Sequence, residues 1–487
     1  MSKDLTKKAI TATKWNAITE VVSKLIAPIT AMVLARLLTP EAFGVVATIS
    51  IIISFAEVFA DAGFQKYIIH YEFEDEEDLH KSTNVAFLSN LAMSIVLWGL
   101  IIIFRHQLAT LVGNPGLGNV LAIACVSIPL VSFSSIQTAL YKRDFDFKTL
   151  FIRKAASLIV PFVVTIPLAL YFRNYWSLII GTIVMNLLNA VILTVKSKWK
   201  PNFYYSFTQL KKMLSYCSWA ILDAILIWCT SYIDIFIIGI FLNEYYLGLY
   251  KTTTNLVGQI LALVTGTVMP VVMPMLARQQ NEPVELRNSI LKMMRIVSII
   301  LIPLGVGIFL FRDLIVSVFL GDQWTEAADF LGLWGLISVI VFIFSRFATT
   351  LYPAIGKPRT ALTVQILHLV VLIPTVYFSA QRGFECLYIA RSLIRIQLVL
   401  LNMYFLYQMI KLSPLRMIKE VYPYIISALM MVVVYYLLDS INNTQSVFFD
   451  FMSITVCAVI YFISVMLFFP SERMFVIKLK EMVLKKK

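Results

Sequence analysis

Apolar runs separated by short polar or basic connections follow one another along the chain from about residue 15 to residue 469. Each run is roughly 20 residues or longer, which is the length that an α-helix needs to cross the hydrocarbon core of a bilayer. The pattern therefore predicts an all-α polytopic membrane protein with about fourteen transmembrane helices. Their approximate ranges are 15–38, 43–68, 83–104, 119–140, 151–172, 175–196, 213–241, 247–276, 290–311, 326–352, 360–380, 385–410, 420–438 and 447–469.

One connection between spans returns in the second half of the chain. The stretch LARLLTPEAFG at 34–44 aligns with IGIFLNEYYLG at 238–248 when the sequence is shifted by 204 positions, and the same shift places Trp15 on Trp219. Six spans precede the basic connection at 197–212, and a parallel repeat requires an even number of spans in each half. The sequence thus predicts two halves of similar plan, related by a parallel internal repeat.

The repeat divides the chain into three predicted parts. A six-helix N-terminal lobe covers 1–200, a six-helix C-terminal lobe covers 201–412, and two additional helices with a basic cytoplasmic tail cover 413–487. The two additional helices have no counterpart in the repeat, so the pattern assigns them no role.

The composition agrees with a membrane protein and excludes a soluble one. Hydrophobic residues make up 59% of the chain and charged residues 14%, whereas a soluble domain carries about 25% charged residues. The five cysteines are scattered, with no C-x-x-C pair and no spacing typical of metal ligands. We therefore predict neither a metal site nor a cofactor.

The basic residues predict the orientation in the membrane. If the N-terminus lies in the cytoplasm, the cytoplasmic connections carry most of the 41 Lys and Arg residues, as the positive-inside rule requires. Both termini are then cytoplasmic. The net charge of +13 is explained by this topology and by contact with anionic lipid headgroups, so we expect membrane lipids rather than nucleic acid as partners.

The connections are too short to form a folded domain outside the membrane. No G-x-x-x-x-G-K-[ST] loop, which cradles phosphates in many ATPases, occurs in the chain. We therefore do not expect this chain to hydrolyse ATP.

Five basic residues fall inside predicted spans. A charge at the centre of the bilayer costs about 2.5 to 3.5 kcal/mol on insertion scales, so such residues usually face a bundle interior or a wet cavity. Arg391 and Arg395 are one helical turn apart, and Asn402 continues the same stripe of the predicted helix. Two guanidinium groups on one face suit the oxygens of a phosphate-bearing ligand. The alternatives are structural ion pairing and, for Arg36 near a span end, extension to the interface. The five candidate substrate-binding residues are Lys24, Arg36, Arg346, Arg391 and Arg395.

Acidic residues inside or near the spans also form pairs. Glu20 lies one turn from Lys24, and Glu57 lies one turn from Asp61. The spacing of eleven residues between Asp223 and Asp234 places both on one face of their predicted helix. Three interpretations are open: structural partners of the basic residues, counter-charges in a gate, or carriers of a coupled proton or sodium ion. The candidate gating or ion-coupling residues are Glu20, Glu57, Asp61, Asp223 and Asp234.

An ordered set of short stretches resembles a known family. The stretches are LARLLTPEAFGVVA, FADAGFQKYII, YIDIFIIGIFLNEYYLGLY, VMPMLARQQ with the following LRNSILKMMR, FLGDQWTEAADFL and PAIGKPRT, and they are distributed in the expected order within residues 10–380. With this number of spans, the chain resembles the polysaccharide-transporter or oligosaccharide-flippase family, within the superfamily that also contains multidrug exporters. It is most similar to the branch of colanic-acid and teichuronic-acid exporters.

The resemblance implies a function and a mechanism. A family member is expected to flip or export an undecaprenyl-diphosphate-linked oligosaccharide across the bacterial cytoplasmic membrane, for the synthesis of cell-surface polysaccharide. It implies two lobes around a cationic cavity that alternate between inward- and outward-open states, without enzymatic activity. Glycan polymerases and glycosyltransferases of the same pathway are the protein partners it suggests.

Two other functions are consistent with part of the pattern. An exporter of small cationic drugs would carry buried acids with few opposing cations, whereas five basic residues lie in the spans here. A membrane glycan polymerase would expose a large outer loop with catalytic charges, and the outer connections are short. The basic residues therefore favour an anionic substrate and a transport function.

Overall fold

The computed structural model describes residues 3–61, 63–441, 447–470 and 472–474, and the regular structure in these ranges is helical. The first eleven helices are α1 Lys3–Leu37, α2 Pro40–Asp61, α3 Phe64–His70, α4 Glu76–Ile103, α5 Arg105–Leu111, α6 Gly118–Ala124, α7 Ser127–Arg143, α8 Phe147–Val160, α9 Ile166–Phe172, α10 Trp176–Lys196 and α11 Phe207–Phe241. The next nine are α12 Glu244–Arg278, α13 Pro283–Leu310, α14 Arg312–Phe319, α15 Ala328–Val341, α16 Phe347–Ala354, α17 Pro358–Ala380, α18 Phe384–Ile410, α19 Pro414–Ile441 and α20 Val447–Phe468. A π-helical segment joins α8 to α9 over Pro161–Thr165, and a second joins α15 to α16 over Phe342–Arg346.

Long helices cover the predicted spans. Twelve helical stretches of the described chain are long and apolar enough to cross a membrane. α12 and α18, at predicted spans 247–276 and 385–410, are helices of 35 and 27 residues, but they are not among these twelve. The prediction of an all-α, multi-pass membrane protein is confirmed, and the number fourteen stays a prediction.

The described residues form two compact units. Unit 1 contains the residues up to 252 together with 376–384, and unit 2 contains 253–375 and the residues from 385 onward. α11 belongs to unit 1 because its side chains bond to the early helices: Trp228 Nε1 donates to Ser54 Oγ at 2.9 Å. The predicted lobe boundaries at residues 200 and 412 are not tested by this division and stay a prediction.

Two pairs of helices have equal lengths in the two halves of the chain, although α2 and α12 contain 22 and 35 residues. α1 and α11 both contain 35 residues, and α4 and α13 both contain 28. A short helix follows α4 and another follows α13. This order is what a parallel repeat would produce, and the repeat itself stays a prediction.

The two copies of the connection from which the repeat was predicted touch each other in unit 1. A Cβ atom on Gly44 would lie 1.8 Å from the carbonyl oxygen of Glu244, and one on Gly248 would lie 1.8 Å from the carbonyl oxygen of Pro40. Because no side chain fits at either position, glycine allows the starts of α2 and α12 to pack backbone against backbone. The contact is reciprocal, since the shift of 204 positions relates Pro40 to Glu244 and Gly44 to Gly248.

In unit 2, glycines let α13 and α15 approach closely. A Cβ atom on Gly335 would lie 2.4 Å from a methyl carbon of Ile308, and one on Gly305 would lie 2.8 Å from a methyl carbon of Val339. Small residues commonly permit such contacts between membrane helices. This packing holds α15 in place, and the adjacent positions Trp334 and Ser338 line a cavity.

Candidate functional site

The described part of unit 2 contains a cavity of about 570 Å³, within the range typical of ligand pockets. Its wall is formed by α12, α15, the π-helical segment before α16, α16 itself and α18. Two of the predicted substrate-binding residues, Arg346 and Arg395, line it. We call this space the unit 2 cavity.

The indole ring of Trp334 lies close to two predicted cations. The guanidinium carbon of Arg395 is 4.1 Å from the centre of the ring, and that of Arg391 is 5.3 Å from it. Both distances fall within the roughly 6 Å over which a cation is attracted to an aromatic face. Arg395 also donates from Nη1 to Ser338 Oγ at 2.7 Å. Arg391 and Arg395, predicted to lie on one face of their helix, therefore both contact the same aromatic ring, that of Trp334.

The spacing of residues on two helices produces this arrangement. Arg391 and Arg395 lie one turn apart on α18, and Trp334 and Ser338 lie one turn apart on α15. Trp334 is 9% exposed and Arg391 is 8% exposed, so the ring and the first guanidinium are held in a packed environment. Arg395 is half-buried and reaches the cavity wall.

Arg346 lies at the end of the π-helical segment Phe342–Arg346. A π turn inserts an extra residue into a helix and often occurs at functional sites. Arg346 is exposed and lines the unit 2 cavity. Its neighbour Ser345 is 2% exposed and also lines the cavity, and the Ser345 hydroxyl has no hydrogen-bond partner among the described residues.

The rest of the cavity wall combines hydroxyl groups with apolar side chains. A wall with guanidinium, hydroxyl and indole groups can bind an anion and hydroxyl-rich rings together, because guanidinium matches phosphate oxygens and hydroxyls exchange hydrogen bonds with sugars. The hydroxyl-bearing residues of the wall are Thr254, Thr265, Ser338, Ser345 and Thr349.

Asn402 was expected on the same stripe of α18 as the two arginines, but it does not line the unit 2 cavity. It is fully buried, and the Tyr352 hydroxyl donates to Asn402 Oδ1 at 2.8 Å. Eleven residues separate Asn402 from Arg391, which is about 16 Å along a helix axis. At the position of Asn402, α18 packs against α16, so the Asn402 side chain is part of a buried contact between these two helices.

The two remaining predicted cations lie on α1, in unit 1. Lys24 pairs with Glu20, with 3.5 Å between Nζ and Oε2, and the Glu20 side chain is 56% exposed. Arg36 is exposed in the last turn of α1, where a positive charge interacts favourably with the helix dipole. Thus Arg346 and Arg395 line the unit 2 cavity and Arg391 contacts the Trp334 ring in its wall, whereas Lys24 and Arg36 belong to unit 1.

The acidic candidates separate into different environments. Asp234 is 4% exposed, and its carboxylate accepts a hydrogen bond from the Tyr250 hydroxyl at 2.6 Å. Glu57 and Asp61 line a second cavity of unit 1. The side chain of Asp223 lies outside the described residues, so the predicted pairing of Asp223 with Asp234 is not tested.

Two side chains of the unit 2 cavity were absent from the sequence-based candidates. The search for charged residues in apolar runs could not find Trp334 or Ser338, which are uncharged and lie in the span 326–352. Only the packing of α15 against α18 reveals that Trp334 and Ser338 contact the arginines.

Comparisons with known proteins agree with this architecture. A family model described as polysaccharide biosynthesis protein matches residues 33–329, which is more than half of the chain. The chain is 24% identical over 319 residues to the succinoglycan biosynthesis transport protein ExoT of Rhizobium meliloti (strain 1021), covering 66% of this chain and 64%, slightly under two thirds, of ExoT. It is 20% identical over 342 residues to the lipopolysaccharide biosynthesis protein WzxC of Escherichia coli (strain K12), covering 69% of this chain and 68% of WzxC.

A solved structure shares the fold. The lipid II flippase MurJ, in its inward closed conformation, matches with a TM-score of 0.74 at 16% sequence identity. The match covers 93% of this chain and 98% of the MurJ chain. At this identity the likeness shows the fold.

The helices and their polar cavities define a multi-pass membrane protein with the architecture of a transporter. The chain belongs to the polysaccharide biosynthesis protein family whose model it matches. The resemblance predicted from the ordered stretches, beginning with LARLLTPEAFGVVA, is confirmed.

Proposed function

We propose that this protein flips a lipid-linked oligosaccharide across the cytoplasmic membrane, with undecaprenyl diphosphate as the lipid carrier. The observation that carries the proposal is the wall of the unit 2 cavity, where Trp334 lies with Arg346 and Arg395 and is also contacted by Arg391. Family membership and the names of the relatives ExoT and WzxC support the substrate class.

The chemistry of the cavity fits both parts of such a substrate. Arg346 and Arg395 supply planar guanidinium groups that bind phosphate oxygens in pairs. Trp334 offers an apolar surface against which a sugar ring can pack, and the hydroxyls of Ser345 and Thr349 can exchange hydrogen bonds with sugar hydroxyls. A small cationic drug would be repelled by the arginines, so the cavity favours an anionic substrate.

The proposed mechanism is alternating access without covalent chemistry. The chain exposes the cavity to one side of the membrane, binds the diphosphate and glycan, and then exposes it to the other side. Both termini lie in the cytoplasm, and the polymerase and glycosyltransferases of the pathway supply and consume the lipid-linked unit. We assign the chain no enzymatic activity and no cofactor.

The test replaces arginines and measures surface glycan. Arg346→Ala removes an exposed cavity cation with little risk to folding, and Arg391→Ala combined with Arg395→Ala removes both cations next to Trp334. In cells that depend on this protein, we expect both variants to lose at least about 90% of surface polysaccharide, since the loss of charge-assisted hydrogen bonds to phosphate costs about 1.5 to 3 kcal/mol each.

The matched control is Arg382→Ala, because Arg382 is an exposed arginine that does not line the unit 2 cavity. It should leave surface glycan unchanged. Normal glycan in the Arg346→Ala and double variants, at matched amounts of protein in the membrane, would contradict the assignment of the cavity. Depletion of the protein should also cause lipid-linked units to accumulate in the cytoplasmic leaflet, whereas accumulation of unpolymerised units in the outer leaflet would indicate a polymerase.

A further inference from the structure

A cavity of about 890 Å³ lies where α4, α7 and α10 of unit 1 come together. Its lining comes from the start of α4, from the end of α7 with the turn that follows it, and from residues 196–199 at the end of α10. The predicted topology places all three stretches at the cytoplasmic ends of their spans. We call this space the boundary cavity, because it lies at the predicted boundary between membrane and cytoplasm.

Acidic and basic side chains line the boundary cavity in equal number. The three bases and three acids are Arg143, Lys196, Lys198, Glu76, Asp144 and Asp146. With the sixth pair of charges balanced and His80 neutral, the lining carries no net charge. A simple anion or cation would leave the occupied cavity charged, whereas a ligand with one negative and one positive group would keep the balance.

The acids differ in what they already bind. Asp146 caps α8, since its carboxylate accepts from Thr149 N at 3.1 Å and from Thr149 Oγ1 at 2.7 Å. Glu76 and Asp144 are exposed, so their carboxylates can be reached from the cavity and from solvent. A ligand amine with N–H donors can therefore bind to Glu76 and Asp144.

The indole N–H of Trp199 needs an acceptor. Trp199 is 6% exposed and lines the boundary cavity, and its buried Nε1 has no hydrogen-bond partner within the described ranges. An indole N–H can only donate, and a buried donor without an acceptor is costly. A phosphate oxygen of a ligand would accept this bond, and Lys196 and Lys198 on the same stretch of chain would supply positive charge.

Contacts with α4 hold this stretch in place. The Trp199 ring lies 5.5 Å from the ring of Phe87, centre to centre. Three residues further on, the backbone N–H of Asn202 donates to Asn84 Oδ1 at 3.0 Å. The donor of Trp199 is therefore positioned before any ligand arrives, which lowers the entropic cost of binding.

We propose that the boundary cavity binds a group that carries a phosphate and a primary amine, as the head group of phosphatidylethanolamine does. The phosphate accepts from Trp199 Nε1 and interacts with Lys196 and Lys198, and the amine donates to Glu76 and Asp144. Lipid at the membrane boundary can reach such a site directly. Soluble phosphoethanolamine carries the same two groups, and the test separates the two sources. This ligand is distinct from the glycan of the proposed function.

Two related lipids isolate the chemistry of the head group. Phosphatidylglycerol has the phosphate but no amine, so it would leave the cavity with a net negative charge. Phosphatidylcholine has both charges, but its trimethylated amine has no N–H to donate to a carboxylate. Both should therefore bind more weakly than phosphatidylethanolamine.

The test measures stabilisation by lipid. Purified full-length protein, freed of bound lipid in detergent, is unfolded by heat with increasing amounts of short-chain phosphatidylethanolamine, phosphatidylglycerol or phosphatidylcholine. We expect Tm to rise with the concentration of phosphatidylethanolamine, since a ligand that binds only the folded state stabilises it. The apparent affinity should be at least about tenfold higher than for the other two lipids, because each lacks charge-assisted hydrogen bonds from the amine.

Two variants remove the phosphate contacts. Trp199→Phe keeps a ring and removes the donor, and Lys196→Gln combined with Lys198→Gln removes two charges at exposed positions. Each should weaken the apparent affinity for phosphatidylethanolamine by at least about tenfold. The matched controls should keep the wild-type response. They are Trp98→Phe, which removes an indole N–H bonded to Ala122 O at 2.9 Å, and Lys211→Gln, at an exposed lysine outside the cavity.

Equal stabilisation by all three lipids would overturn the proposal, as would an unchanged affinity for phosphatidylethanolamine in the folded variants. If Trp199→Phe does not fold, the variant with both lysines replaced still decides. Soluble phosphoethanolamine identifies the source: weaker binding than the lipid assigns the site to the lipid, and equal binding assigns it to a soluble ligand of the same chemistry. No response to either would overturn the site. Because no glycan is used, such a failure is distinct from failure of the proposed function.

Discussion

At the scale of single residues, the unit 2 cavity is organised by an aromatic ring between cations. Trp334 lies within cation–π distance of both Arg391 and Arg395. An aromatic ring attracts a guanidinium group without cancelling its charge, unlike a carboxylate. Such a ring can therefore orient the arginines and leave their charge for an anionic substrate.

We predict that Trp334 has separable effects on stability and on transport. Trp334→Ala should destabilise the protein by about 3 to 5 kcal/mol, because it leaves a cavity in the core, and should abolish transport. Trp334→Phe keeps a ring but weakens the cation–π attraction, so it should fold with a smaller loss of Tm and still reduce transport severalfold. Thermal unfolding and surface glycan, measured on the same variants, check both effects.

The comparison of the two variants gives the prediction its control. If Trp334 acted only as core packing, transport would follow Tm and Trp334→Phe would export glycan almost normally. Wild-type transport in Trp334→Phe, at equal amounts of protein in the membrane, would therefore show that the ring does not position the arginines.

At the scale of elements, the last two membrane helices are fixed parts of unit 2. Met431 on α19 and Cys457 on α20 join a buried cluster with Leu310, at the end of α13. After α20, Glu472 is 4% exposed and accepts two hydrogen bonds from Arg295 on α13, at 2.6 and 2.7 Å. The Tyr424 hydroxyl of α19 donates to the same carboxylate. These contacts give α19 and α20 a structural role that their sequence did not indicate.

We predict that Glu472→Ala destabilises the protein by about 3 to 5 kcal/mol, because it leaves the guanidinium of Arg295 partly buried without this partner. The combined replacement of Arg295 and Glu472 by Leu should recover much of that loss, since it removes both charges. Thermal unfolding and limited proteolysis in detergent measure the effects. Proteolysis should cut after α20 earlier in Glu472→Ala than in the wild type.

An exposed pair provides the control for this prediction. Arg312 and Asp329 are 2.8 Å apart, but the Asp329 side chain is 69% exposed. Asp329→Ala should change stability by about 1 kcal/mol or less, as is usual for surface pairs. Equal losses in Glu472→Ala and Asp329→Ala would contradict the importance of burial.

The elements also show how much could be predicted from sequence. The positions of the spans follow from apolar length, which depends only on local sequence. The shared face of Arg391 and Arg395 follows from helical periodicity, and both contact one ring. Trp334 could not be predicted, because its proximity to α18 depends on how two helices pack. Asn402 shows the same limit. Helical periodicity predicts which side of α18 carries Asn402, but it does not predict that Tyr352 of α16 packs there and donates a hydrogen bond to it.

At the scale of the whole molecule, the number of helices that cross the membrane decides on which side each connection lies. α12 and α18 are not among the apolar stretches of the described chain, but each is longer than the roughly 20 residues that span a bilayer. α18 carries Arg391 and Arg395 next to Trp334, on the wall of the unit 2 cavity. Polar residues that face a cavity are tolerated in membrane helices, so we infer that α18 crosses.

The two counts of spans predict opposite sides for the middle of unit 2. With fourteen spans and a cytoplasmic N-terminus, Asp322 lies outside and Lys357 inside. With twelve spans, in which α12 and α18 do not cross, both positions change sides, whereas both termini stay cytoplasmic. Fusions at the termini therefore cannot decide between the counts, and positions between α12 and α18 can.

We predict that Asp322→Cys reacts with a membrane-impermeant maleimide in intact cells and that Lys357→Cys reacts only after permeabilisation. Both positions are exposed, so accessibility reports the side of the membrane rather than burial. The wild-type protein, with its five native cysteines, measures the background. The reverse pattern would show that α12 does not cross, and together with a cytoplasmic C-terminus it would show the same of α18. It would also remove the argument for alternating access through the unit 2 cavity, because both helices form part of its wall.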